Sequence, residues 1–595
     1  MASGDITRRA TAPAAAAALP GGLPGVREAC ARALPRAAHE RPPATPRSAR
    51  GRRLALLSLA FIAVGYATLF QSYSWNQTSS FDLIRSLAEG HTSIDRYQSN
   101  TGDKAYYKGH WYSARAPGLA MLSLPFYELL KALGAEAWAR ETQAEPHGNA
   151  TIALVGLFGN VLPAFIMLAL LLRIGERLAP GFGLAGAITT GLGTIAAFLA
   201  TLLFTHMLAA SLGFGAFALL YAERHGPEQR RRLVAAGILA GYAIASEYPL
   251  FLVAVLLGLY ATFGAHQRRP SARALRALAY GSGCLLGVLP LALFNHFAFG
   301  SPFHVAYDNI PRQQQGFFGI DAPSLRVLAT LLFSSRGLLT ISPVLGAAAV
   351  GIVLLHRAGS RAEALLVGGV CALYLTYNSG YYLPFGGASA GPRFLMPIIP
   401  FLALGLPLAF RRFPAATLAL AGASVTMTVV ALITHPLVGY ETETIKWARY
   451  LLRGDFQRTI ASAYGLGHGW GGIWPLLACV ALALVLALRS EGALLRALRA
   501  PGRRALVAAI AILALWAAFA AVGPTALGID HQGLLDIARA EGAPGLVARV
   551  ERYGSDPLGA LAGIAAGVAA LALLAARVGA TARALSGKAT AQGAT

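Results

Sequence analysis

The sequence predicts an all-α polytopic membrane protein with about 14 (12–14) transmembrane helices and a long first outer loop that carries interfacial helices. Three observations carry this. Of the 595 residues, 55% are hydrophobic and only 13% charged, a balance outside the range of soluble enzymes. Apolar runs of about 17–25 residues recur from Leu54 to Ala576, the length that crosses a hydrocarbon core. The short loops between those runs are rich in arginine, which fixes helix orientation.

The expected spans are 54–71, 149–172, 182–200, 205–222, 232–247, 249–264, 276–297, 338–356, 362–379, 394–410, 415–434, 473–489, 505–522 and 557–577. Residues 1–50, with ten arginines between Arg8 and Arg53, read as a disordered basic cytoplasmic tail. No small-residue cleavage pattern follows the first apolar run, so 54–71 reads as a retained anchor with its N-terminus inside. The segment 117–135 holds Pro117, Pro125, Glu128 and Lys131, and charge decides its placement. Only if it does not cross do the basic loops 223–232, 266–276, 356–361, 411–412 and 489–504 share the cytoplasmic side. It is therefore expected to be re-entrant or interfacial. The transmembrane domain then runs over 51–578, with a cytoplasmic tail at 579–595 and outer loops at 72–148, 298–337, 380–393, 435–472 and 523–556.

The net charge of +23 is explained by these orienting arginines, and no nucleic-acid partner is expected. Four scattered cysteines form neither a CxxC nor a Cys/His spacing, and no metal site is expected from them. His304, Asp308, His435 and His468 lie in outer loops without ligand spacing.

The first outer loop is where chemistry concentrates. Its segment 79–89, "SSFDLIRSLAE", reads as an amphipathic helix with Ser79 or Ser80 as N-cap and Asp82 in the first turn. Next come Asp95, Asp103, Lys104, Lys108 and Arg115, interleaved with Tyr97, Tyr106, Tyr107, Trp111 and Tyr112. Aromatic faces beside carboxylates suit carbohydrate, and cations beside them suit phosphate. A carboxylate near both can take a proton from an attacking hydroxyl. Taken singly, each aromatic fits an interfacial belt, and Asp82 fits a helix-start acid.

The order "FDLIRSLAEG" followed by "GDKAYYKGHWYSARAPGLAML" resembles the first outer loop of the GT-C glycosyltransferase superfamily, notably bacterial aminoarabinose transferases of lipid A and protein O-mannosyltransferases. In that resemblance Asp82 matches the acidic catalytic position, and Tyr112 and Arg115 match the tyrosine and lysine of a Tyr–x–x–Lys–Pro–Pro-like element. A second match is "GGASAGPRFLMPIIPFLALGL", where Arg393, Pro397 and Pro400 fit an Arg–Tyr–Leu–x–x–Pro-like helix opening. The chain departs from the pattern with Phe81 before a single Asp82, and with Arg-Ala-Pro for Lys-Pro-Pro. The resemblance implies a polyprenyl-phosphate sugar donor, a glycan, lipid or protein acceptor, and inverting transfer outside a bacterial plasma membrane. Some of these relatives use a divalent cation.

On this reading Asp82 is the expected catalytic base. Asp103, Lys104, Tyr107, Tyr112, Arg115, Glu247, Arg336 and Arg393 are the expected substrate contacts, the arginines facing phosphate. Glu247, in "SEYP", also suits a helix break with Pro249, and Arg336 a snorkelling helix-end charge. The alternatives are a secondary transporter or lipid flippase, which favours paired repeats not seen here, or another lipid-linked polymer ligase.

Overall fold

The computed structural model describes residues 48–530 apart from 135–149, 264–268, 312, 315–316, 438–443, 491 and 500–501. The expected tail 1–50 falls almost wholly outside these residues, as do most of the loop 523–556, the span 557–577 and the C-terminal tail.

Helix α1 (Ala49–Ala67) starts at the Ser48 cap, whose hydroxyl accepts from the Gly51 N–H at 3.1 Å. Two helices of the first loop follow: α2 (Trp75–Ala88) and α3 (Gly118–Ala132). The main bundle continues with α4 (Ala150–Leu178), α5 (Gly183–Gly193), α6 (Thr205–Arg224), α7 (Arg230–Ser246), α8 (Leu250–Phe263) and α9 (Pro270–Phe299). After the second loop come α10 (Leu325–Phe333), α11 (Val344–Arg357), α12 (Arg361–Gly380), α13 (Arg393–Arg412) and α14 (Pro414–Ile433). The described chain closes with α15 (Thr444–Arg453), α16 (Trp474–Ser490) and α17 (Arg503–Ala526).

Among the described residues, six helices are long and apolar enough to cross a membrane, or seven if a pair bent by 89° around Ser342 and Pro343 is one span. The expected count of about 14 is therefore met only in part. At 182–200 the expected single span ends at Gly193, because Thr194 is extended and its hydroxyl accepts from Ala196 N–H at 3.2 Å, starting a new short turn. At 338–356 Pro343 removes a backbone donor and forces the bend. Helix α3 has 15 residues and rises about 22 Å, short of a hydrocarbon core of roughly 30 Å.

Beside the helices, the described residues hold two small antiparallel pairs. A hairpin joins β1 (Lys104–Tyr107) to β2 (His110–Ser113) through Lys108 and Gly109, both at positive φ, as a tight two-residue turn requires. A second small pair joins Leu69–Phe70, where the chain leaves α1, to Arg458–Thr459.

The core is built by close helix packing. Gly237 and Gly241 of α7 face Gly283 and Gly287 of α9; a Cβ on Gly237 would lie 2.1 Å from the Tyr280 carbonyl oxygen. This is the small-xxx-small arrangement that lets membrane helices approach backbone to backbone. Glu363, in the first turn of α12, pairs with Arg224 and His225 of the basic loop 223–232, at 3.2 Å and 3.0 Å. The first loop instead packs on the C-terminal end of α9, where Tyr107 and Tyr112 stack near Phe299, with ring centroids at 5.7 and 4.8 Å.

Candidate active site

Helix α2 begins earlier than expected. Its N-cap is Ser74, whose N–H donates to Gln77 Oε1 at 2.9 Å, so Asp82 falls mid-helix and not in the first turn. This shift decides which residues meet solvent. Trp75, Asn76 and Thr78, in the first turn of α2, line a cavity of about 610 Å³. Asp82 lies one turn beyond Thr78 and is 1% exposed.

The cavity wall is completed by Tyr73, Ser74, Asn100, Asp103 and Arg115 from the first loop, by Tyr307 and Gln313 from the second, and by residues of 381–394. Three segments expected to be separate outer loops thus converge on one chamber. The hairpin sets the central pair. Asp103 immediately precedes β1 and Arg115 follows β2, the two strands being in register from Lys104 with Ser113. The Ala114 N–H donates to the Asp103 carbonyl at 3.1 Å, and the Arg115 Nη2 donates to Asp103 Oδ2 at 2.6 Å. With its amide oxygen turned toward Arg115, Asn76 accepts from Nη1 at 3.0 Å and Nε at 3.3 Å. Burial works against the charge of Arg115, but Asp103 overcomes it and holds the guanidinium above its usual range.

Arg393 reaches the same chamber from the start of α13. Its Nη1 donates to the Ala388 carbonyl at 3.3 Å, and its guanidinium sits 4.6 Å from the Phe204 ring centroid. Gly386, at φ +83°, allows this: a Cβ there would lie 2.6 Å from Arg393 Nε.

The other expected residues stand behind the wall. Asp82 accepts from Asn100 Nδ2 at 3.1 Å, while its Oδ2 is buried without a hydrogen-bond partner. Burial pushes its carboxyl up to about 7, against the Asn100 hydrogen bond and the Arg85 charge. Glu247 is buried against His206 at 2.8 Å and the Thr205 hydroxyl. Arg336 donates to the Ser389 carbonyl at 3.1 Å and lies over the Phe385 ring, so it braces the loop that forms the wall. Lys104 binds the Gln98 carbonyl at 2.7 Å and stacks on Trp111. Tyr107 and Tyr112 anchor the hairpin to α9 and line no part of the chamber.

Sequence reasoning missed Asn76, Asn100 and the tyrosines Tyr307, Tyr381 and Tyr382. The alternation "AYYKGHWY" is a hairpin signal and would have brought Asp103 and Arg115 together. Nothing in the sequence marks Tyr307 and Tyr381, which matter because they also line a second, apolar cavity of about 490 Å³ with Tyr248, Phe251, Leu373 and Tyr377. Among the described residues no three His, Cys, Asp or Glu side chains gather as a metal-holding group.

No family model matches the chain, and no curated protein matches it. In structure it is similar to ArnT from Cupriavidus metallidurans bound to undecaprenyl phosphate, at 17% identity over 74% of this chain and 76% of that one, with a TM-score of 0.42. It is also similar to the oligosaccharyltransferase of Archaeoglobus fulgidus, at 12% identity over 75% of this chain and 57% of that one, with a TM-score of 0.37.

Proposed function

We propose that the protein is a membrane glycosyltransferase that moves a sugar from a polyprenyl-phosphate donor to an acceptor hydroxyl at the outer face of a bacterial plasma membrane. One observation carries the reading. A polar chamber holding Asp103, Arg115 and Arg393 shares Tyr307 and Tyr381 with an apolar groove. A lipid-linked sugar phosphate needs both surfaces side by side: apolar walls for the prenyl chain and cations for the phosphate.

The chemistry follows from the residues on the wall. The acceptor oxygen attacks the anomeric carbon and the carbon–oxygen bond to phosphate breaks, its electron pair leaving with the phosphate. Arg115 and Arg393 stabilise the negative charge that grows there. The acceptor proton passes to Asp103, which the hairpin holds against Arg115 at 2.6 Å. This assigns the base to Asp103 in place of Asp82, because Asp82 is covered by Asn100. Inversion is the expected outcome of a single displacement. The convergence of three expected outer loops supports the outer side, since the arginine-rich loops then face inward.

The test uses purified protein in nanodiscs with a panel of polyprenyl-phosphate sugars, following release of polyprenyl phosphate. Release by the wild type that Asp103→Asn and Arg115→Ala both lose is the expected result. No release from any donor by well-folded wild type, with or without acceptor extracts, would remove the transferase reading.

A further inference from the structure

A larger polar cavity of about 850 Å³ lies against the chamber and has no part in the chemistry above. It is lined by Ser72, Thr434, His435, Tyr450, Asp455 and Arg458, among others. The two cavities adjoin at one stretch of chain. Ser72 lines one and Tyr73 the other, and neighbouring Cα atoms are about 3.8 Å apart. On the opposite side of the partition, Ala388 lines the chamber, while the Ala390 N–H donates to the Pro436 carbonyl at 3.0 Å, next to His435 of the larger cavity.

Gln457 braces this stretch. Gln457 Oε1 accepts from the Ser72 N–H at 2.8 Å, and its Nε2 donates to the Thr434 carbonyl at 2.6 Å. Its own N–H donates to the Ile433 carbonyl at 2.8 Å. The pairing of Leu69–Phe70 with Arg458–Thr459 fixes this loop to the exit of α1. The cavity is thus held in a set position beside Asp103 and Arg115, not hung on a free loop.

We infer that this cavity seats a saccharide acceptor, whose hydroxyl reaches the chamber across the Ser72–Ser74 partition. The inference rests on the transferase reading. Its walls suit a sugar in particular: the Tyr450 ring is among them for C–H groups, and Asp455 and His468 offer planar polar partners for hydroxyls. Nearly half of these walls is polar, whereas the groove beside Tyr307 is almost wholly apolar and suits an acyl chain better.

The experiment offers 4-nitrophenyl glycosides of glucose, galactose, mannose and N-acetylglucosamine as acceptor probes, with the polyprenyl-phosphate sugar found active in the panel. Wild type is expected to glycosylate at least one probe. Tyr450→Ala and Asp455→Ala should each raise its KM about tenfold with kcat within about threefold. Release of polyprenyl phosphate to water without acceptor should stay unchanged, which also certifies folding. Asp455→Trp, which narrows the cavity, should raise that KM further and keep that release. Unchanged KM in all three variants overturns the inference, as does refusal of every glycoside by an enzyme that releases polyprenyl phosphate. A wild type that releases nothing from any donor sinks the transferase reading itself, and this inference with it.

Discussion

Asp103 and Arg115, twelve residues apart in sequence, meet at 2.6 Å because a two-residue turn at Lys108 and Gly109 folds one strand back on the other. The pair is partly open to the chamber, with side-chain exposures of 27% and 14%. Asp82 is shielded by Asn100. Asp103→Asn is therefore expected to lower kcat by about 10²–10⁴, the span of general-base contributions, with donor KM little changed. Asp82→Asn should keep transfer within a few-fold of wild type. The opposite ranking in a donor-release assay would return the base to Asp82.

Arg115 grips both Asp103 and Asn76 through a planar fork that lysine cannot reproduce. Arg115→Lys should cost at least about tenfold in kcat/KM, although charge is conserved. Isothermal titration with undecaprenyl phosphate should show weaker binding for Arg393→Ala. Equal affinity in that variant would remove the Arg393 phosphate contact.

The Asp82 carboxyl, pushed up to about 7 from an ordinary value of 3.8, is a pH-dependent liability. The folded state binds its proton more tightly than the unfolded chain does, so the unfolded state carries fewer protons between those values. Stability is then full below about pH 4 with respect to this group, and is lost as pH rises through about 7. Thermal unfolding in detergent should show a larger gain for Asp82→Asn at pH 8 than at pH 5. A constant gain would mean that the carboxyl does not titrate there.

The apolar groove should read lipid length. Leu373 lines it about two helical turns from Tyr381. Leu373→Trp is expected to weaken undecaprenyl phosphate binding about tenfold while sparing a ten-carbon prenyl phosphate, whose tail ends sooner. Equal losses for both lipids would place the chain elsewhere.

Packing of α7 on α9 tolerates no side chain at Gly241, where a Cβ would lie 2.2 Å from the Cys284 carbonyl oxygen. Gly241→Ala should destabilise by roughly 1–3 kcal/mol, the usual cost of forcing atoms into a filled interface. Gly281, with open space around its Cβ position, is the control: Gly281→Ala should leave the melting temperature unchanged or higher. The same loss in both would mean that the close α7–α9 approach is not what Gly241 serves.

Sequence by itself determined the membrane class, the positions of the six long apolar helices, the break at Glu247 and Pro249, and the first loop as the seat of polar and aromatic groups. Hydropathy and arginine placement are summed over many residues, so these readings survive local error. Asp103 and Arg115 of the first loop and Arg393, far from them in the chain, are brought by the tertiary structure to one wall. What only the tertiary structure decided is which polar groups see the chamber. Asp82 and Asn76 lie on one short helix, and where it starts, six residues' worth of rotation and rise, decides that Asn76 lines the wall and Asp82 does not. Tyr307 and Tyr381, from loops far apart in sequence, became the join between the polar chamber and the apolar groove only when α9, α12 and the first loop packed together. Such joins depend on long-range packing, which no local pattern encodes.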